Sequence, residues 1–375
     1  MVIAKTLEAI TWADIEQLAI KQTSEGRRLE FKLELPSGRD ADTKELLADL
    51  TSFANSDGGD LIIGIRDEGG TAGEIVGIDA RLVDGAVLRL DNIARDGVDP
   101  RLAGLRIHSV VNGDRAVLII RVPASFAAPH RVTYKGTSRF YARNSRGKFE
   151  MDTHELRQAF VASEEAPRRL RDLHERTQHA AAGENMPAKL VEGPSVLVTV
   201  APISILREKV DLAFRREDAL LPPEALGGLD ILNGFEGVVV LAGRSDSHSV
   251  GAFSVNHRSG YMSAGWSIGR VRNDERFVWP KYVVQSLPGF VASAITRLRE
   301  HGLGAPWIVM VTLTGVKGFR LIISDHYWSE TAWQDKAYLG DIIFDDLQSD
   351  TLQPFTDGFA RLFGIDPNDA GKLPW

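Results

Sequence analysis

The stretch Leu29-Glu-Phe-Lys-Leu-Glu-Leu35 decides the reading of this chain. It is entered through Glu25-Gly-Arg-Arg28 and followed by Phe53-Ala-Asn-Ser-Asp-Gly-Gly59 and Leu61-Ile-Ile-Gly-Ile-Arg-Asp67. From Arg28 to Leu35 polar and apolar residues alternate strictly, with Leu29, Phe31, Leu33 and Leu35 on one side and Arg28, Glu30, Lys32 and Glu34 on the other. A period of two is the pattern of a half-buried strand, so Glu30 and Lys32 share a face while Phe31 points into a core.

Helices and strands alternate around this strand. Thr11 and Asp14 form a helix-start signal ahead of a short amphipathic helix to about Lys21. Leu46, Leu47, Leu50, Phe53 and Ala54 fall at helical spacing within 42–54, and Gly58-Gly59 then stops the helix and turns the chain. Residues 61–65 read as a buried strand and 80–95 as a helix. Strands are expected near 104–111 and 116–122, and another from Tyr134 to Arg143. Asp152 opens a helix to about Ser163. Pro167 is expected to break it from a second helix ending near Ala182, and a Gly-, Pro- and Asn-containing linker follows to Pro194. Further strands are expected at 196–201, 236–242, 306–314 and 318–324, with a helix over 281–301 between Pro280 and Gly302. The fold class is therefore α/β (α+β). A mixed-sheet domain over 1–165 and a helical linker over 166–194 precede a second α+β domain over 195–375.

Composition removes several classes of function. The 375 residues contain no cysteine, which excludes disulfides, thiolate metal sites and a cysteine nucleophile and fits a reducing compartment, so a cytoplasmic protein is expected. Met1–Trp12 lacks the basic and apolar regions of a signal peptide, and no apolar run is long enough to span a bilayer, so no membrane partner is expected. There is no G-x-x-x-x-G-K-[ST] loop, hence no evident ATP site. There is no G-x-S-x-G elbow, no H-E-x-x-H, and no zinc-like spacing among the nine histidines. His174 and His179, five apart on one helix, align poorly. Six of the seven tryptophans lie at or beyond Trp266 and are expected to fill the second core.

Charge is distributed unevenly. The net charge is −7, yet residues 1–100 carry 11 Lys+Arg against 20 Asp+Glu, a balance of −9, whereas residues 101–148 carry 10 against one, a balance of +9. Within this basic segment Arg131, Lys135, Arg139, Arg143, Arg146 and Lys148 are candidates for tracking a nucleic-acid backbone. Tyr134, Phe140 and Tyr141 can stack on bases, although core packing is expected for at least two of them. The plainer alternative is that these cations decorate solvated strand faces.

A carboxylate and a lysine sharing a strand face are what metal-dependent phosphodiester chemistry uses. The acid holds a cation, and the ammonium orients water or offsets phosphate charge. Glu25 lies one turn upstream, and Asp67 stands at the carboxyl end of the 61–66 strand, where α/β folds place ligands. Magnesium needs only two or three such oxygens beside its waters. The same alternation is equally the pattern of an ordinary solvated face.

Taken in order, Glu25-x4-Glu30-Phe31-Lys32, Phe53-Ala-Asn55-Ser56-x-Gly58-Gly59, Ile63-Gly64-Ile65-x-Asp67 with Gly77 beyond it, and Tyr141-Ala-Arg143-Asn-Ser145 resemble the Schlafen AlbA_2 domain across roughly residues 15–162. This is an α/β nucleic-acid-binding domain, also catalogued as a divergent AAA-4 or DNA-binding domain. In nucleolytic Schlafen proteins two glutamates before the Phe-Lys and an aspartate after the Gly-Gly strand form a three-carboxylate RNase site. The matching positions here are Glu25, Glu30 and Asp67, with Lys32 assisting. The resemblance thus implies a Mg2+- or Mn2+-dependent endoribonuclease acting on structured RNA such as tRNA. Animal Schlafen cores pair two related lobes around a positive groove. This chain carries one copy of the motif, so a homodimer is expected. Two rivals stand beside the nuclease: a non-catalytic DNA- or RNA-binding transcriptional regulator, and a partner- or ligand-sensing interaction protein, with antiviral defence as its family association.

Overall fold

The computed structural model describes residues 7–206, 210–223, 227–244, 246, 248–324 and 327–367. Residues 1–6 of the Met1–Trp12 stretch, in which no signal peptide is expected, and the last tryptophan, Trp375, fall outside the described residues. The chain divides into two compact units, Met1–Pro167 and Arg168–Trp375.

In the first unit the chain runs through α1 (Trp12–Ile20), β1 (Leu29–Lys32), α2 (Asp40–Ala54), β2 (Gly59–Ile63), β3 (Ile65–Asp67), β4 (Ala72–Ile75), β5 (Ile78–Asp79) and α3 (Val83–Gly97). It continues through β6 (Val98–Asp99), β7 (Arg106–Asn112), β8 (Arg115–Val122), β9 (Arg131–Val132), β10 (Arg139–Asn144) and β11 (Gly147–Glu150) before α4 (Thr153–Ala181). The central sheet has the order β1-β2-β8-β5, with β7 also on β8. β1 and β2 are parallel, and β8 is antiparallel to its neighbours. Leu61, Ile63, Leu118 and Ile120 face α2 and α3, while Ile62, Val117 and Ile119 face α1 and the other side of β1. A strand covered on both faces reads as an uninterrupted apolar run, which is why Leu61-Ile-Ile63 and Val117-Leu-Ile-Ile120 lack alternation. A smaller sheet, β11-β10-β9-β6, and the hairpin β3-β4 complete the unit.

Several expected boundaries shift. β1 stops at Lys32 rather than Leu35, and Pro36 in the loop that follows offers no N–H to extend it. The strand after Gly59 ends at Ile63. Gly64, at φ +111°, starts a new direction, so Asp67 closes the separate hairpin strand β3 and not the central strand. The expected 134–143 strand begins only at Arg139, as β10 (Arg139–Asn144), because Tyr134–Gly136 form a 3-10 turn. α4 continues through Pro167 without the expected break.

The second unit contains β12 (Lys189–Leu190), β13 (Ser195–Pro202), β14 (Leu229–Gly234), β15 (Gly237–Arg244), β16 (Ser249–His257), β17 (Tyr261–Ser267), β18 (Gly269–Arg272) and β19 (Glu275–Val278). Next come α5 (Lys281–Val284), α6 (Ser286–Glu300), β20 (Trp307–Thr314), β21 (Arg320–Ser324), β22 (Tyr327–Thr331), β23 (Lys336–Phe344) and α7 (Gln353–Leu362). Its main sheet runs β14-β15-β16-β17-β13-β20-β23, with β12 on β16. One face packs on α6 and α7 through Val198, Trp266, Val309, Phe290 and Phe359. The expected 281–301 helix is two helices that meet at Gln285. Trp266 and Trp307 are core residues as expected, whereas Trp333 is 84 % exposed. Among the described residues no helix is long and apolar enough to cross a membrane.

Candidate functional site

β1 carries Glu30 and Lys32 toward α2, as the period-two reading requires, while Leu29 and Phe31 enter the opposite core layer. Glu30 is claimed on both oxygens. Its Oε2 accepts from Arg143 Nη2 at 2.5 Å and its Oε1 from Lys32 Nζ at 3.1 Å. Burial alone would raise the Glu30 pKa, but the hydrogen bond and charge of Arg143, helped by Lys32, hold it below the ordinary carboxylate range.

Asp49, on α2, is a participant that the sequence reading missed. Its side chain is 1 % exposed, with Lys148 Nζ at 2.8 Å, Lys32 Nζ at 3.5 Å and Arg143 Nη1 at 3.7 Å. Burial raises the Asp49 pKa against the pull of Lys148 and Lys32. Glu45, one helical turn earlier, reaches Lys148 at 2.7 Å and Lys32 at 3.8 Å. Burial opposes the charged form of Lys32, yet Asp49, Glu30 and Glu45 together push its pKa up. Three acids and three cations from β1, α2, β10 and β11 thus neutralise one another. Arg143 is the innermost: it is fully buried, donates Nε to Gly26 O at 3.3 Å and stacks on Phe53 at 4.4 Å. Beside this network a cleft of about 280 Å³ opens, with Lys32 and Asp49 in its wall and Leu35 and Ile63 lining its apolar side.

Glu25 and Asp67 stand apart from the network. Glu25 Oε1 accepts from Phe31 N at 2.7 Å, capping the open edge of β1. Burial raises the Glu25 pKa, the Phe31 hydrogen bond lowers it, and Glu30 and Asp67 raise it further. Glu25 is therefore within electrostatic reach of both other expected acids. Asp67 is exposed, and its Oδ1 accepts from Gly70 N at 2.7 Å, closing the β3–β4 turn. Among the described residues no group of three His, Asp or Glu side chains is placed to hold a metal ion. The donor set explains this. Glu30 is already neutralised by two cations, and Glu25 and Asp67 each spend an oxygen on a backbone N–H. These residues, as arranged, do not fit the divalent cation that the family resemblance implies.

Two residues of the Asn55-Ser56 motif are structural latches. Asn55 Nδ2 donates to His130 O at 2.8 Å and to Tyr141 O at 2.9 Å, while its Oδ1 accepts from His130 N at 2.6 Å. Ser56 Oγ accepts from Arg143 N at 2.8 Å. These bonds tie the end of α2 to β10 and so seat Arg143.

The basic segment is mostly consumed by the acid-rich first hundred residues. Arg121 forms a buried two-pronged pair with Asp60 at 2.7 and 3.0 Å. Arg131 pairs with Asp99 at 3.0 Å, Lys135 with Asp40 at 2.7 Å and Arg139 with Glu150 at 2.7 Å, all on exposed side chains. Arg146 lies exposed in the β10–β11 turn. Of the six candidate backbone-tracking cations, Arg143 is thus removed from the surface and Lys148 is turned mainly inward, at 17 % exposed. The other four sit on or beside the small β11-β10-β9-β6 sheet. Tyr134 and Tyr141 pack on Leu47, Val98 and Val132, and Phe140 meets Phe160 edge-on at 6.1 Å.

Residues 25–152, about a third of the chain, match the family model Schlafen, AlbA_2, so the N-terminal half carries a domain of that family. No curated protein matches the chain. Among solved structures, the DIP2311 protein from Corynebacterium diphtheriae is similar at 20% identity and TM-score 0.26, over 37% of this chain and 26% of that one. The N-terminal domain of an ATP-dependent DNA helicase RecG-related protein from Nitrosomonas europaea is similar at 21% identity and TM-score 0.23, over 37% of this chain and 78% of that one. The chain spans only about a quarter of the length of the first of these.

Proposed function

We propose that the N-terminal domain binds the phosphate backbone of RNA or DNA without cleaving it, as a nucleic-acid-binding regulator. The observation that carries this reading is the occupation of both Glu30 oxygens by Arg143 and Lys32, which leaves no free carboxylate at the centre of the motif. Arg131, Lys135 and Arg139 are each held by a partly exposed carboxylate, and Arg146 is exposed beside them. Exposed ion pairs are worth only about 0.2–1 kcal/mol, so a phosphate displaces the carboxylate at little cost. With a net charge of −7, binding is salt-sensitive and modest in affinity.

A metal-dependent endoribonuclease acting on structured RNA such as tRNA is the second reading, favoured by the electrostatic reach of Glu25 to both Glu30 and Asp67. Labelled tRNA and duplex DNA incubated with the protein, with Mn2+ or with EDTA, separate the two. The binding reading expects retarded but intact nucleic acid in both conditions, and retardation weakened by joint Arg131→Ala, Lys135→Ala and Arg139→Ala substitution. Cleavage that needs Mn2+ and disappears in Glu30→Gln would overturn it in favour of the nuclease.

A further inference from the structure

The second unit holds a cleft that the nucleic-acid reading does not use. It measures about 570 Å³, within the range of small-molecule sites. Its apolar wall includes the cross-strand pair Val239 and Val255 from β15 and β16. Phe235, at the tip of the β14–β15 hairpin, stands at its mouth and is 91 % exposed. A phenyl ring in water at the edge of a cleft contributes nothing to the core and is available for stacking.

The polar lining is specific. His257, at the end of β16, is 6 % exposed and lies flat on Tyr261, with ring centroids 3.8 Å apart. Its Nε2 bonds Ser263 Oγ at 2.9 Å, whereas its Nδ1 has no hydrogen-bond partner among the described residues. Nδ1 faces Glu236 on the cleft wall, 3.8 Å from Oε2, too far for a hydrogen bond. Burial keeps His257 neutral, with a pKa of about 3. When Nε2 carries the ring proton, Nδ1 and the Glu236 carboxylate are two acceptors facing each other with no donor between them. Nδ1 is closed off beneath the wall, so it is the exposed Glu236 carboxylate that accepts from an amino or hydroxyl group in the cleft. Arg176, also in the lining, supplies donors for an acceptor edge.

The geometry points to a binding site for a neutral, planar heteroaromatic molecule of the nucleobase or nucleoside class, stacked on Phe235 with its hydrogen-bonding edge toward Glu236 and Arg176. A strongly anionic ligand suits the cleft less well, because the Glu236 carboxylate opposes Arg176. Aromatic stacking accepts every base, and the paired donor and acceptor groups favour one edge over another.

Titration calorimetry of the full chain with adenosine, guanosine, cytidine and uridine, and with ribose as the control, tests this assignment. At least one nucleoside is expected to bind saturably while ribose does not. Phe235→Ala and Glu236→Ala, both at exposed side chains, are each expected to weaken that binding by at least about tenfold, and Phe235→Tyr to retain it. Absence of saturable binding by all four nucleosides at millimolar concentration overturns the assignment. So does equal binding of ribose, or full affinity in either alanine variant.

Discussion

Arg143 is the residue on which the charge balance of the first unit turns. It is buried without exposure, its partner Asp49 is nearly so, and Glu30 is mostly buried. Removing one member of such a set strands the others in a medium that solvates charge poorly. Arg143→Met, close in volume, is therefore expected to cost about 3–5 kcal/mol. The measurement is urea unfolding, and adding Glu30→Gln to Arg143→Met should return part of the loss, because it removes one uncompensated carboxylate. If Arg143→Met is neutral, the network does not organise the first unit. The sequence made Glu30 and Lys32 legible, since period two alone puts them on one face. It misassigned Arg143 to the surface because a run of cations looks the same whether it faces phosphate or carboxylates far away in the chain. Asp49 did leave a signal. It lies between Leu46, Leu47, Leu50 and Phe53 on the apolar side of a helix, where an acid is placed only with a buried partner.

Elements and turns follow local chemistry more faithfully than charged sites do. Gly58 reads as a helix stop, and it sits after the α2 C-cap at φ +70°, with a Cβ there only 2.7 Å from Ala124 N and Val122 O. Gly58→Ala thus combines a disfavoured backbone with a collision against backbone atoms and should lower stability by more than about 1–3 kcal/mol. Gly85 is the internal contrast. It lies in the first turn of α3 with open space around its absent Cβ, so Gly85→Ala should raise stability by about 0.5–1 kcal/mol. Thermal melts of the two variants must move in opposite directions. The elements that stayed hidden lie mostly in the second unit. β16 and β17, Ser249–His257 and Tyr261–Ser267, are buried almost throughout yet carry Ser, Gly, Asn and His. Small polar residues paired inside a wide sheet erase both alternation and apolar runs, the two signals by which strands are found.

At the scale of the whole molecule, two buried histidines set a pH limit on the second unit. His174, in α4, lies between Thr199 Oγ1 at 2.9 Å and Thr312 Oγ1 at 2.7 Å, which satisfies both ring nitrogens of a neutral imidazole. Burial, seconded by the charge of Lys336, lowers its pKa to about 4, and burial with Arg176 lowers that of His257 to about 3. In the unfolded chain both titrate near 6.5. Above that value neither state binds the protons, and the stability these groups support is fully present. As pH falls below 6.5 the unfolded chain takes up two protons that the folded unit refuses, and stability drops by about 1.4 kcal/mol per pH unit for each group. The decline from His174 ends near pH 4 and that from His257 near pH 3. Because the chain forms two compact units, a calorimetric scan is expected to resolve separable transitions, and only that of the second unit carries these terms. His174→Gln and His257→Gln will each lower stability at neutral pH, but each should also reduce the slope of that transition between pH 6 and pH 4 by about one proton. A slope left unchanged by both substitutions would mean that these imidazoles are protonated in the folded state, contrary to their enclosure.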